Sequence, residues 1–155
     1  MRIRSATTAE VESIIHLHRL FYAGHLGWDS ARWTTKTPPG AMYSGWIDRL
    51  GKSNDGLALV AELDSRIIGY LIAEVEPEST LHWSPAAVYL HDLFVDPVHR
   101  RAGIARELMN HLLQWSATQH PRLQLRLITA VRNDAARTFF ERFGFRSCAV
   151  EMIRE

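Results

Sequence analysis

Val95-Asp96-Pro97-Val98-His99-Arg100-Arg101-Ala102-Gly103-Ile104-Ala105-Arg106 leaves an apolar strand, crosses a basic turn and enters a helix. The strand is Val88-Tyr89-Leu90-His91-Asp92-Leu93-Phe94-Val95, and Asp96-Pro97 stops it. Past the turn, Ile104, Leu108, Leu112 and Trp115 recur at helical spacing and predict a helix over 103–118. The first amides of a helix lack intrahelical acceptors, and its dipole favours an anion beside them. Gly103 removes a Cβ where a phosphate would approach the backbone, and Ala105 keeps the next turn small. Arg100, Arg101 and Arg106 add charge suited to phosphate. No Gly-Lys-Ser/Thr follows and no Gly-x-Gly-x-x-Gly is present, which disfavours a nucleoside triphosphate or a dinucleotide. An ordinary strand-to-helix connection with a solvated basic face is the plainer reading. The apolar strand running up to the turn and the clustered arginines favour the anion site.

Outward from this stretch, the chain alternates helical and strand patterns. Toward the N-terminus, residues 57–63 and 66–76 are β-rich runs joined by Asp64-Ser65, which predicts a hairpin. A short helix is expected over 42–50. Residues 22–45 mix Gly, Pro, Thr and Ser with Tyr22, Trp28, Trp33 and Tyr43, as a long functional or mobile loop would. Thr7 with Glu10 forms a capping box ahead of a helix over 8–21, and Arg2-Ile3-Arg4 alternates like an edge strand. Toward the C-terminus, a strand is expected over 123–129. Asn133 then caps a helix burying Ala136, Phe139, Phe140 and Phe143, Gly144 provides its left-handed C-cap, and a last strand covers 145–153. The order is β-α-α-β-β-β-α-β-α-β, an α/β sandwich with a mixed sheet in a single domain over 1–155.

Composition narrows the function classes. The chain has 155 residues and 46% hydrophobic content, enough for one sizeable core. With 18 Lys+Arg against 17 Asp+Glu, neither a nucleic acid nor a membrane surface is the expected partner. Only Lys36 and Lys52 are lysines, a bias that suits phosphate but that an Arg-rich genome produces equally. Cys148 is the lone cysteine, so no internal disulfide or cysteine-cluster metal site is expected. No apolar run approaches a spanning helix and residues 1–5 lack a signal-peptide core, so a cytoplasmic location is the expectation. The histidines show no metal-ligand spacing, and no metal site is expected.

Arg100-Arg101-Ala102-Gly103-Ile104-Ala105 resembles the Gln/Arg-x-x-Gly-x-Gly/Ala signature of the GNAT family of N-acetyltransferases. Leu93-Phe94-Val95-Asp96-Pro97, Glu107-Leu108-Met109 and the segment from Asn133 through Ala136, Phe139-Phe140-Glu141-Arg142-Phe143-Gly144-Phe145 look like the same family, in the same order. The resemblance covers about 57–147. It implies a mixed, mostly antiparallel β-sheet flanked by helices and splayed at the acyl-CoA site. It implies acetyl-CoA as co-substrate, with the backbone of Leu93, Phe94 and Val95 alongside the pantetheine. The amides of Arg101, Ala102, Gly103, Ile104, Ala105 and Arg106 would hold the pyrophosphate, with Arg100 beside them. Asn133, Phe139, Phe140 and Arg142 would flank the thioester end.

Direct acetyl transfer to an amine needs a base for the ammonium, polarisation of the thioester and a proton for the thiolate. Members of the family often carry a tyrosine where this chain has Phe140, which has no proton to give. Tyr89, Tyr43 or a water are the candidates to replace it. His91 is the leading base, since its ordinary pKa suits proton removal at neutral pH. Tyr-Leu-His91-Asp92-Leu-Phe-Val resembles the polyamine-acetyltransferase branch, which has Glu-Asp there. Strand alternation sends Tyr89, His91 and Leu93 to one face and Leu90, Asp92 and Phe94 to the other. His91 and Asp92 then share a cleft only if a bulge intervenes. A structural histidine and a salt-bridging carboxylate are the alternative readings. Trp28, Trp33, Tyr43 and Trp46 line an acceptor pocket or fill a core. The function these residues point to is N-acetyl transfer from acetyl-CoA to a primary amine in a ternary complex, with a homodimer through the last strand as a further expectation. A non-catalytic acyl-CoA-binding module is the alternative.

Overall fold

The computed structural model describes every residue except Thr35, Thr37, Pro38, Pro39, Ala41 and Glu155. Parts of the loop expected over 22–45 therefore lie outside the described residues. Five strands, β1 (Arg2–Ser5), β2 (Gly56–Leu63), β3 (Arg66–Glu76), β4 (Ala87–Val95) and β5 (Gln124–Arg126), lie in that order across one sheet. The first four are antiparallel neighbours, and β5 runs parallel to β4. Helices α1 (Val11–Trp28) and α2 (Tyr43–Gly51) cover one face, α3 (Ile104–Gln119) covers the other, and Phe139 and Phe140 of α4 (Asp134–Glu141) pack against the core on the α3 side.

Alternation along the strands builds two cores. Val60, Tyr70, Ile72 and Phe94 pack against Ile14, Leu17, Ile47 and Leu50 of α1 and α2. Leu59, Ala61, Leu71, Ala73, Val88 and Leu90 pack against Ile104, Leu108, Met109 and Leu112 of α3. Both clusters exclude water from large aliphatic and aromatic surfaces, the main force holding helices to sheet. At Gly56, a Cβ would lie 2.9 Å from Leu50 Cα, so α2 can close onto β2 only at a glycine.

The helix ends follow the sequence. Thr7 and Glu10 close the capping box reciprocally, and Arg4 bonds both Glu10 and Glu62. The arginine contact holds the Glu10 carboxyl at about 2. Asn133 Oδ1 accepts from the Ala136 amide at 3.2 Å. Gly144 has φ of 82°, with Phe145 N–H donating to Phe140 C=O and Gly144 N–H to Glu141 C=O. That is a Schellman close, completed by the Phe140–Phe145 ring contact at 5.6 Å.

Three expectations are corrected. The first helix continues to Trp28 through Gly24 and Gly27, because Phe21, His25 and Trp28 extend its buried stripe and tertiary packing overrides glycine's poor propensity. The strand expected over 123–129 shrinks to Gln124–Arg126: β4 pairs with it only through Ala87, Val88 and Tyr89. Beyond Tyr89 the two chains part, which is the splay, and residues 127–129 line the opening. The strand expected over 145–153 does not form. The outer edge of β5 is free but only three residues long, too short to seat it, and Val150 and Met152 stay about nine-tenths exposed.

Candidate active site

The splay leaves a cleft of about 1490 Å³ between β4, the α3 start and α4. Residues 93–95 and 100–106, with Asn133, Phe139, Phe140 and Arg142, all line it, so the structure brings the sequence's cofactor-side residues into one cavity. Asp96 caps the 3₁₀ turn Pro97–His99, and Arg100 folds back, its Nε on Val95 C=O at 3.2 Å and its guanidinium 5.4 Å from the Phe94 ring centre. Arg101 and Gly103 take φ of 66° and 81°, the left-handed backbone of a tight turn into the helix. The first helical bond is Glu107 N–H to Gly103 C=O, so the amides of Ile104, Ala105 and Arg106 have no helical acceptor. A Cβ at Gly103 would meet only Arg106 Nη2, at 3.6 Å. The glycine is therefore favoured by its left-handed backbone and not by crowding within the protein.

A second pocket of about 330 Å³ opens beside the first, lined by His18, Phe21, Tyr22, His25, Arg32, Trp33, Tyr89, His91, Asp92 and Ile128. Here the expected alternation of β4 is broken. Ile72 pairs with Asp92 while Ala73 pairs with Leu90, leaving His91 as an extra residue on β4. The bulge brings Tyr89, His91 and Asp92 to one side, as both pocket lining and ring contacts record: Tyr89 and His91 lie 4.9 Å apart between ring centres. His91 and Asp92 therefore do share a cavity.

Asp92 is buried and accepts hydrogen bonds from Tyr43 Oη and, at 3.4 Å, from Tyr70 Oη. His18 Nδ1 lies 2.7 Å from Tyr43 Oη and 3.1 Å from Tyr70 Oη. Both hydroxyl protons point at the carboxylate, so Nδ1–H is the consistent donor to the tyrosines. Burial pushes Asp92 up to about 6, against the pull of Tyr43 and Tyr70, and pushes His18 down to about 4. Burial and the Asp92 charge raise both tyrosines. Tyr43 is thus committed to Asp92, 3% exposed and absent from the lining of either cavity, which removes it as a thiolate acid. It and Ile47 also anchor α2 in the core.

His91 touches both cavities. Its Nε2 sits 3.2 Å from Glu74 Oε1 and 4.0 Å from Glu76 Oε1, with no aligned hydrogen bond among the described residues. Trp46 and Arg49 hold Glu74 in place at 3.2 and 2.7 Å. Burial lowers the His91 pKa, opposed by Glu74 and Glu76. Burial and then Glu76 raise that of Tyr89. Trp28 and Trp33 pack on His25, while Trp46 packs on His91.

Two residues were missed in the sequence. His18 completes the Asp92 network, and His25 lies buried where the cavities meet. Their spacing of seven, on the stripe of Ile14, Leu17 and Phe21, is the signal that marks them as inward-facing.

A family model described as the acetyltransferase (GNAT) family matches residues 20–145. The chain belongs to that family. Acetyl-CoA is the co-substrate of GNAT proteins, and the helix-start amides and φ values above fit its pyrophosphate. An uncharacterised N-acetyltransferase from Methanocaldococcus jannaschii is similar to this chain at 24% identity over 92% of it. The chain spans 59% of that relative's length. Among solved structures, a tetramutant of the BH1408 protein from Bacillus halodurans superposes with a TM-score of 0.82 at 20% identity, over 100% of this chain and 99% of that one. The aminoglycoside N-acetyltransferase AAC(6')-Iy in complex with CoA gives 0.72 at 18% identity, over 99% and 93%. A ribosomal-protein-alanine N-acetyltransferase from Brucella melitensis biovar Abortus 2308 gives 0.65 at 18%, over 100% and 98%. These likenesses show a shared GNAT fold.

Proposed function

We propose that this protein moves the acetyl group of acetyl-CoA to a small primary amine by direct attack in a ternary complex. The observation that carries this reading is the junction of the two cavities, which share Phe21, His25, His91 and Ile128. A thioester at the inner end of the long cleft would face an amine in the short pocket. The amides of 101–106 take the pyrophosphate, the backbone of 93–95 runs beside the pantetheine, and Asn133 with α4 flanks the thioester. Asp92, ionised at neutral pH at the wall of the pocket, attracts a cationic amine, and aromatic rings at Tyr22, Trp33 and Tyr89 suit an alkylammonium. His91 takes the ammonium proton, with Tyr89 orienting the nitrogen.

Aminoalkyl and polyamine-like acceptors fit this pocket best; aminoglycosides and protein N-terminal amines enter through the names of similar structures. A cytoplasmic setting accompanies the reading, since acetyl-CoA is available there. No described helix is long and apolar enough to cross a membrane. Strand pairing between two copies of the 145–153 segment is the form a homodimer would take.

Calorimetric titration with acetyl-CoA, then thiol release with 1,4-diaminobutane, kanamycin and an Ala-terminated peptide, tests the proposal. Binding followed by release with one of these supports transfer. Phe140, a ring with no proton in the cleft, favours the second reading, a non-catalytic acyl-CoA-binding module. Tight binding with no release on any amine would establish that module instead.

A further inference from the structure

Acetylating an ammonium takes two protons off the nitrogen, and one of them must end on the departing sulfur. The α4 side of the cleft offers Phe139, Phe140 and Phe143, none of which carries a proton. Of the histidines and carboxylates lining the cleft, His25, His91, His99 and Asp134, only His25 and His91 also line the acceptor pocket. His91 turns Nε2 onto Glu74. His25 is held differently. Its Nδ1 lies 3.0 Å from Phe21 C=O, and a carbonyl only accepts, so Nδ1 carries the hydrogen and Nε2 the lone pair. Phe21, Trp33 and Trp28 fix the ring, with centres 4.3, 4.5 and 5.0 Å away. Burial lowers the pKa of His25, which favours the neutral imidazole.

On the transfer reading above, we propose that His25 carries a proton from the attacking nitrogen to the CoA sulfur, as a second catalytic residue beside His91. The ammonium first loses one proton to His91 and then to solvent. The C–N bond forms as the carbonyl π pair moves to oxygen. His25 Nε2 takes the remaining proton that the nitrogen must lose. The carbonyl then re-forms, the C–S bond breaks with its pair on sulfur, and Nε2–H gives that proton to the thiolate. His25 ends neutral, the products are the N-acetylamine and the CoA thiol, and no further reagent is needed. The charged and titratable groups around His25 are His18 and Tyr22 on its own helix, Arg32 beside Trp33, and Tyr89, His91 and Asp92 from β4. Arg132 reaches the Trp28 carbonyl at 3.2 Å.

His25→Asn keeps an amide N–H for the Phe21 carbonyl and removes the titratable nitrogen. With acetyl-CoA and the fastest of the three amines named above, kcat should fall roughly a hundredfold while the calorimetric Kd for CoA stays within about twofold. Adding Phe140→Tyr to that variant puts a phenol in the cleft and should recover about tenfold, as should imidazole added to His25→Ala. An unchanged kcat in His25→Asn, or a loss that neither phenol nor imidazole restores, overturns the proton role. His25→Ala serves alone if the asparagine variant fails to fold. A wild type that binds CoA yet acetylates none of the amines defeats the transfer reading instead, which keeps the two failures apart.

Discussion

Replacing Asp92 with asparagine should change how stability depends on pH, by an amount set by the carboxyl's surroundings. Asp92 is 6% exposed between two tyrosine hydroxyls, and its pKa rises to about 6 from an ordinary value near 3.9. Because the folded carboxyl holds its proton more tightly than the unfolded one, its favourable contribution is complete below about pH 4. It is lost as pH rises through about 6. At about 1.4 kcal/mol per pKa unit, the loss approaches about 3 kcal/mol. Asparagine keeps an acceptor for Tyr43 and Tyr70 and stays neutral throughout. Its stability relative to wild type should therefore climb by about 3 kcal/mol between pH 4 and 7, a gain of roughly 6–12 °C in Tm for a domain of this size. His18, pushed down to about 4, adds a slope of the opposite sign, but both proteins carry it. Thermal melts of the pair from pH 4 to 8 measure the difference. Parallel Tm curves would refute the burial argument, and so would a gap that widens toward acid. Amine turnover should fall in the same variant, because the anion that attracts the acceptor is gone.

Further outcomes follow from the same geometry. Gly103→Glu should abolish measurable CoA binding by calorimetry, since it places a side chain and negative charge against amides that face the ligand. The left-handed φ of 81° adds about 1–2 kcal/mol of strain, a Tm loss small enough to leave the fold intact. Unchanged affinity would refute the site. His91→Ala should slow turnover most near neutral pH and least at high pH, where free amine is abundant. An equal loss across a kcat/KM pH profile would mark His91 as structural. Asn133→Ala removes the cap on the Ala136 amide and should cost about 1 kcal/mol in thermal melts, with a weaker Kd for CoA from a frayed α4.

What could be read in the sequence was local. The turn at 100–106, the Thr7–Glu10 box, the Asn133 cap and the Gly144 close each depend on residues a few positions apart, and each forms as read. The rest depended on partners distant in the chain. The His91 bulge is a mismatch with Ile72 and Ala73, and alternation within β4 cannot reveal it. The missing strand over 145–153 has a strand's pattern but only the three residues of the β5 edge to pair with, because β5 stops at Arg126. His18 lies within the helix expected over 8–21, and His25 lies beyond its expected end, in the continuation to Trp28. Only packing against Phe21, Trp28 and Trp33 turns that helix's continuation into part of the site.

A crystal structure of the protein soaked with CoA tests the central claim most directly. The account predicts the pyrophosphate on the amides of 101–106, the pantetheine beside 93–95, and the sulfur at the junction near His25 and His91. Density for CoA anywhere outside this cleft, or a sulfur remote from the second pocket, would contradict it.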